Sequence, residues 1–275
     1  MTINAYEEFK KKVLMTVKSK YPYHQVSIGT SVGINRIKEG LIIEREDGVS
    51  PSICLQELYE NYECTGDFDE LMEFIDYVYK MPSPKVDRGT MLSWEESKTK
   101  IYPVLVNKER NISALSRAEV VFQEFLDLLI IYCLEINLPD GKASVKITQF
   151  MLKAWGISEE QLKVQCFANE KYEISNFAGM YILTNEDNYR GSAGMVFSNK
   201  LKEFADDMES DIYMLPSSTH ELILLEKDDN LYSVEELKRM VVEINSDTSI
   251  ISAEDYLSDS VYVYQRDCHE IKLAA

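Results

Sequence analysis

The residues with the most chemical potential in this 275-residue chain lie in one short segment, Leu215-Pro216-Ser217-Ser218-Thr219-His220-Glu221. Ser217 or Ser218 with His220 supplies the types needed for a nucleophile and its base, and Asp255 or Asp259 would complete a triad. This hydrolase reading lacks the Gly-x-Ser-x-Gly elbow that holds such a serine clear of its strand. A second reading makes Ser218, His220 and Glu221 ligand-binding groups. The leading expectation is a tight, rigid turn. Pro216 fixes φ, the serine hydroxyls bond nearby backbone, and the His220 ring ties the turn down. No residue is therefore assigned as catalytic.

Other polar clusters carry less. His24 follows Tyr21-Pro22-Tyr23 at a helix exit, where an imidazole can satisfy terminal carbonyls. His269 stands beside Cys268, but a soft-metal site there needs two more ligands. With three widely separated histidines and no His-Glu-x-x-His, no metal is expected. The carboxylate groups at Asp67-Asp69-Glu70, Glu203-Asp206-Asp207 and Asp228-Asp229 lack the ligand spacing of a calcium loop. They read as solvated helix starts and surface faces. Phosphate-cradling glycine motifs are absent, so no cofactor is expected, and Gly191-Ser192-Ala193-Gly194 reads as a loop before a helix. Cys54, Cys64, Cys133, Cys166 and Cys268 are odd in number and without a Cys-x-x-Cys pair, as in reduced thiols of a cytoplasmic protein.

Charge narrows the partners. The chain carries 47 acidic and 29 basic residues, a net −18. Residues 1–22 hold five lysines against Glu7 and Glu8, a local +3, so the remainder carries −21. Direct nucleic-acid binding needs clustered Lys and Arg and is not expected. The acidity fits solubility, docking of a basic protein partner, or mimicry of DNA. No apolar run reaches the ~18 residues of a membrane span, and the N-terminus lacks a secretory pattern, so no membrane is expected. The oligomeric state is not legible.

The elements that must position these groups can be read from caps and spacing. Helix starts are expected at Asn4-x-x-Glu7, Asp67-x-x-Glu70, Ser158-x-x-Gln161, Ser198 and Ser233-x-x-Glu236. The last should bury Leu237, Met240, Val241 and Ile244. A shorter helix is expected from Ser50-Pro51, carrying Leu55, Leu58 and Tyr59. Strands are expected near 26–34, 41–43, 101–106, 126–136, 142–147, 180–183, 212–215, 222–225 and 260–264, with a turn at Pro139-Asp140-Gly141. Hairpins mixed with separate amphipathic helices predict an α+β fold, with mixed or antiparallel sheets packed by those helices. Residues 81–100 read as a connector that Trp94 anchors, and the division is placed near 115, giving regions 1–115 and 116–275.

Several segments also resemble a known family. They are Tyr6-Glu-Glu-Phe9, Ser50-Pro-Ser-Ile-Cys-Leu55, Phe125-Leu-Asp-Leu128, Trp155-Gly-Ile-Ser-Glu-Glu-Gln-Leu162 with Ala168-Asn169, Tyr213–Glu221, Met240–Asn245 and Leu257–Tyr262. Together they resemble the bacterial family of unknown function DUF5688, across nearly the whole chain. A weaker, architectural similarity is to DUF1444, also called UPF0354. The resemblance implies a cytoplasmic protein of Gram-positive gut bacteria, often in mobile-element settings, and one continuous family unit. It implies no activity and no catalytic residue. The expected function is that of a non-enzymatic binding or regulatory accessory protein. The alternatives are a hydrolase built on Ser217 or Ser218, His220 and an Asp, and an acidic DNA mimic.

Overall fold

The computed structural model describes residues 3–45, 50–82, 88–138, 141–169, 171–177, 179–228 and 230–274. They fall into two units. Met1–Gly33, Ile37–Asp87 and Asn137–Gly141 form the first; Ile34–Arg36, Arg88–Ile136 and Lys142–Ala275 form the second. The main division, at Asp87/Arg88, falls inside the stretch read as a connector and upstream of residue 115.

In the first unit, α1 (Ile3–Lys20) lays Phe9, Val13 and Val17 along one face, and both valines are fully buried. Asn4 lies in its first turn rather than at its cap, a shift within the ordinary uncertainty of helix ends. β1 (Val26–Val32) and β2 (Ile37–Ile43) form an antiparallel hairpin, and β3 (Ser52–Cys54) joins β2 at the sheet's edge. Then come α2 (Leu55–Thr65) and α3 (Phe68–Lys80). The helix expected from Ser50-Pro51 thus starts at Leu55. Ile53 buries opposite Leu41, and that long-range strand pairing overrides the local helix signal. Leu55, Leu58 and Tyr59 are buried as their spacing requires. Gly66 ends α2 at φ 67, and Asp67 caps α3 by accepting the N–H groups of Asp69 and Glu70 at 2.9 and 3.0 Å.

The second unit opens with two short helices, α4 (Arg88–Met91) and α5 (Trp94–Ser97), inside the stretch read as a connector. Trp94 packs against Trp155 at 5.6 Å, and the Trp155 indole donates to the Met91 carbonyl at 3.0 Å. β4 (Ile101–Asn107) leads through α6 (Lys108–Arg117) to β5 (Phe122–Phe125), and both strands flank β6 (Leu128–Leu138). β7 (Gly141–Lys146) also pairs with β6; Pro139 and Asp140 of the expected turn lie outside the described residues. α7 (Gln149–Trp155) ends at Gly156, φ 68, and α8 (Glu159–Asn169) starts on the reciprocal Ser158–Gln161 capping bonds. α6 and α7, capped by Asn107 and Thr148, and β5 were not expected.

A six-stranded sheet completes the unit: β8 (Tyr172–Phe177), β9 (Met180–Asn185), β10 (Ile212–Pro216), β11 (Leu222–Glu226), β12 (Tyr262–Gln265) and β13 (Glu270–Leu273), ordered β13-β12-β10-β11-β9-β8. Between β9 and β10 lie α9 (Gly194–Phe197) and α10 (Lys200–Met208). β10 is central and buried on both faces. Ile212 and Met214 enter the larger core, while Tyr213 and Leu215 meet α11 (Val234–Ser246). α11 has the expected Ser233–Glu236 capping box and buries Leu237 and Val241. Met240 and Ile244 instead stand 51% and 39% exposed. At ~100° per residue, Met240 falls about 100° from Val241, off the flank that covers β10. Ile244 sits a turn further on, near the helix end. The protein is α+β with antiparallel sheets, and its cysteines are free thiols.

Candidate functional site

The segment 217–221 is the connection of the β10–β11 hairpin, closed by Pro216 opposite Leu222. Its centre is Thr219, to which the sequence assigns no role of its own, and it is fully buried. Thr219 donates its N–H to the Asp255 carbonyl at 2.8 Å. Its carbonyl accepts the Ser192 hydroxyl at 2.7 Å, and its own hydroxyl oxygen accepts from the Arg190 guanidinium. Thr184 Oγ1 donates to the His220 carbonyl at 3.0 Å, and the His220 N–H donates to Ser218 Oγ at 3.0 Å. Ser217 Oγ reaches Glu221 at a long 3.5 Å. Ser218 thus serves the turn's own backbone, as expected of a turn.

The ring of His220 is held from two sides. The Arg190 backbone N–H donates to Nδ1 at 3.1 Å, and Nε2 lies 3.0 Å from Asp255 Oδ1. An N–H pointing at Nδ1 requires that nitrogen to be bare. The neutral ring therefore carries its proton on Nε2 and donates it to Asp255. Asp255 also accepts the Ser252 hydroxyl at 2.6 Å and stands 3.5 Å from the Arg190 guanidinium. Partial burial raises the Asp255 carboxyl, but the hydrogen bonds from Ser252 and His220, with the Arg190 charge, outweigh it and hold it below its ordinary value. Arg190 is 8% exposed and has φ 60, so backbone strain there is held in place by these partners. Next to it, Gly191 allows a close approach. A Cβ there would sit 2.5 Å from Asn185 N and Thr184 Oγ1 and 2.7 Å from His220 O.

The structure brings His220 and Asp255 together, but its bonds to Ser218 run through backbone and hydroxyl. Asp259 is elsewhere, accepting from Asn245 Nδ2 at 2.8 Å. A second polar knot centres on Asp127. It accepts the hydroxyls of Ser258 and Ser260 at 2.6 and 2.9 Å and of Tyr262 at 2.7 Å. Burial, reinforced by the Asp127 charge, pushes the Tyr262 phenol far up. A cleft of about 710 Å³ lies nearby. Tyr189 lines it and also packs on the His220 ring at 5.2 Å, while His220 itself is not among its walls. Two ion pairs lie on those walls, Lys142 with Glu135 at 2.9 Å and Lys171 with Glu186 at 3.8 Å.

The remaining candidates are structural in setting. The His24 ring packs edge-on against Tyr21 and Tyr79, and His269 Nδ1 meets the Tyr264 hydroxyl at 3.0 Å. Asp67 is a helix cap, Glu203 pairs with Lys200 and Asp206 with Arg266. Asp228 accepts the Asn230 N–H at 2.8 Å, and Asp229 lies outside the described residues. Among the described residues no group of three or more His, Cys, Asp or Glu is placed to hold a metal, and no helix is long and apolar enough to cross a membrane.

Antiparallel sheets packed by helices define an α+β protein in which the His220 ring is held between Arg190 and Asp255. The chain belongs to the family of unknown function DUF5688, which matches residues 6–176 and 165–266 and so runs across both units. No curated protein and no solved structure matches it. The segments that carry the resemblance do structural work: Asp127 with Ser258, Ser260 and Tyr262, the Trp155-to-Met91 bond, and Asn169, whose amide donates to the Lys98 and Ile101 carbonyls at 2.6 and 2.9 Å.

Proposed function

We propose that this chain is a non-enzymatic binding protein that docks a basic partner. The observation that carries the reading is the closure of His220. With Nδ1 taken by Arg190 N–H and Nε2 by Asp255, a neighbouring serine has no base to accept its proton. The acidity supports the class of partner: the net charge is −18, and residues 52–79 hold eight carboxylates and no basic side chain.

A fluorophosphonate probe separates this from a serine hydrolase. No adduct on Ser217 or Ser218 is expected by intact mass. An adduct on either that disappears in His220→Ala overturns the reading. In-cell crosslinking of the full chain should recover partners rich in Lys and Arg, and a set with no basic bias counts against the partner class.

A further inference from the structure

In the first unit a groove of about 520 Å³ opens where β3, α2 and α3 meet. All of β3, Ser52 to Cys54, lines it. β3 pairs with β2 on one side only, and among the described residues no strand covers its other edge. Leu71, Phe74 and Val78, at successive turns of α3, give the groove an apolar wall, and Phe74 is 50% exposed. Exposed apolar side chains gathered into one patch with a polar rim mark contact sites. The rim is acidic: Glu57, Asp67 and Glu70 stand around it. Among the described residues no basic side chain pairs with Glu57 or Glu70. Among the described residues Lys38 is the sole cation on the groove's walls, at its β2 end.

We propose that this groove takes an extended basic segment of another protein, laid beside β3 as an added strand. One apolar side chain seats against Leu71, Phe74 and Val78, and flanking Lys or Arg meet Glu57, Asp67 and Glu70. Charge complementarity selects this occupant. The free edge supplies backbone pairing without sequence demands, the apolar wall fixes register, and the rim selects for positive charge. The lysine-rich α1 of a second copy has the right sign, but it is an α-helix and cannot lie beside β3 as an added strand. The proposal rests on the reading of the chain as a binding protein and names its surface.

A phage-displayed library of random peptides, panned on the full chain, tests it. Enriched peptides should place Lys or Arg on both sides of an apolar residue. Amide shifts on titrating a selected peptide should concentrate in β3, α2 and α3. Glu57→Gln with Glu70→Gln should weaken it roughly five- to tenfold and reduce its salt dependence. Phe74→Ser should weaken it further, while far-UV circular dichroism and Tm stay near wild type, because Phe74 is half-exposed. The groove is refuted by no enrichment, by peptides without basic bias, by shifts elsewhere, or by unchanged affinity in both variants. Concentration-dependent self-association that Phe74→Ser abolishes also refutes it, in favour of a second copy. Basic peptides that bind elsewhere remove the groove and leave the binding reading intact, whereas serine labelling by the fluorophosphonate removes that reading itself.

Discussion

Replacing His220 by Ala removes two hydrogen-bonding nitrogens at once. The N–H of Arg190, a residue 8% exposed, loses its acceptor 3.1 Å away. An enclosed backbone donor without a partner costs about 1–3 kcal/mol. Asp255 loses a donor at 3.0 Å but keeps the Ser252 hydroxyl at 2.6 Å and the Arg190 guanidinium at 3.5 Å. Its side chain is 31% exposed, so water replaces part of that bond. We assign it about 1 kcal/mol, below the ~1.5–3 of an enclosed bond to a charge. Together His220→Ala should cost roughly 2–4 kcal/mol, which at ~2–4 °C per kcal/mol lowers Tm by roughly 4–16 °C. Urea unfolding followed by circular dichroism measures it. Two further variants divide the loss. His220→Asn places an amide oxygen near the position of Nδ1, and His220→Gln places an amide nitrogen near that of Nε2. Asn should recover more stability than Gln, because the enclosed Arg190 N–H is the larger part. A His220→Ala protein within ~0.5 kcal/mol of wild type would refute the argument, since that is the scatter of uninvolved surface sites.

Four other outcomes follow from the same geometry. Gly191→Ala should destabilise by roughly 1–3 kcal/mol in the same unfolding assay, because its Cβ would meet backbone at 2.5 and 2.7 Å; a neutral change would mean that the hairpin shifts freely. Asp127→Ala should cost about 3–5 kcal/mol, since it strips the acceptor from Tyr262, fully buried, and from Ser258, 1% exposed; urea midpoints test this. Leu237→Ala should cost roughly 2–5 kcal/mol and Met240→Ala less than ~0.5, so equal effects would contradict the observed face of α11. Asp255 has its native carboxyl held below the ordinary 3.8, so its contribution is complete above that pH and is lost as pH falls through the lower native value. Asp255→Asn should accordingly flatten the acid limb of stability against pH, and an unchanged limb would show that Asp255 is not a linked group.

The acidic groove and the His220 hairpin differ in how far local sequence reaches. Caps at Asp67, Ser158 and Ser233 were legible because each bonds within three residues of itself. The β10–β11 turn was legible too, since Pro216 and the serines act over the same range. Spacing marked Leu237 and Val241 as core. It could not exclude Met240 and Ile244, because period shows which residues share a face but not how wide a neighbour covers it. Likewise the helix signal at Ser50-Pro51 was sound locally and lost to strand pairing with β2.

By itself the sequence determined the α+β class, the hairpin around Pro216–Glu221, the helix starts at Asp67, Ser158 and Ser233 and the acidity of residues 52–79. All of these are carried by neighbours in the chain or by composition. Only the tertiary structure decided what His220 does. Its partners, Arg190 and Asp255, are 30 and 35 residues away, and Asp127 reaches Tyr262 across 135. Three-dimensional packing also placed the carboxylates of two helices around the exposed edge of β3, turning a charge count into a shaped surface. The physical reason is the same in each case: hydrogen bonds, ion pairs and apolar walls act over a few ångströms of space, and sequence spacing reports that space only within a turn, a helix or a strand.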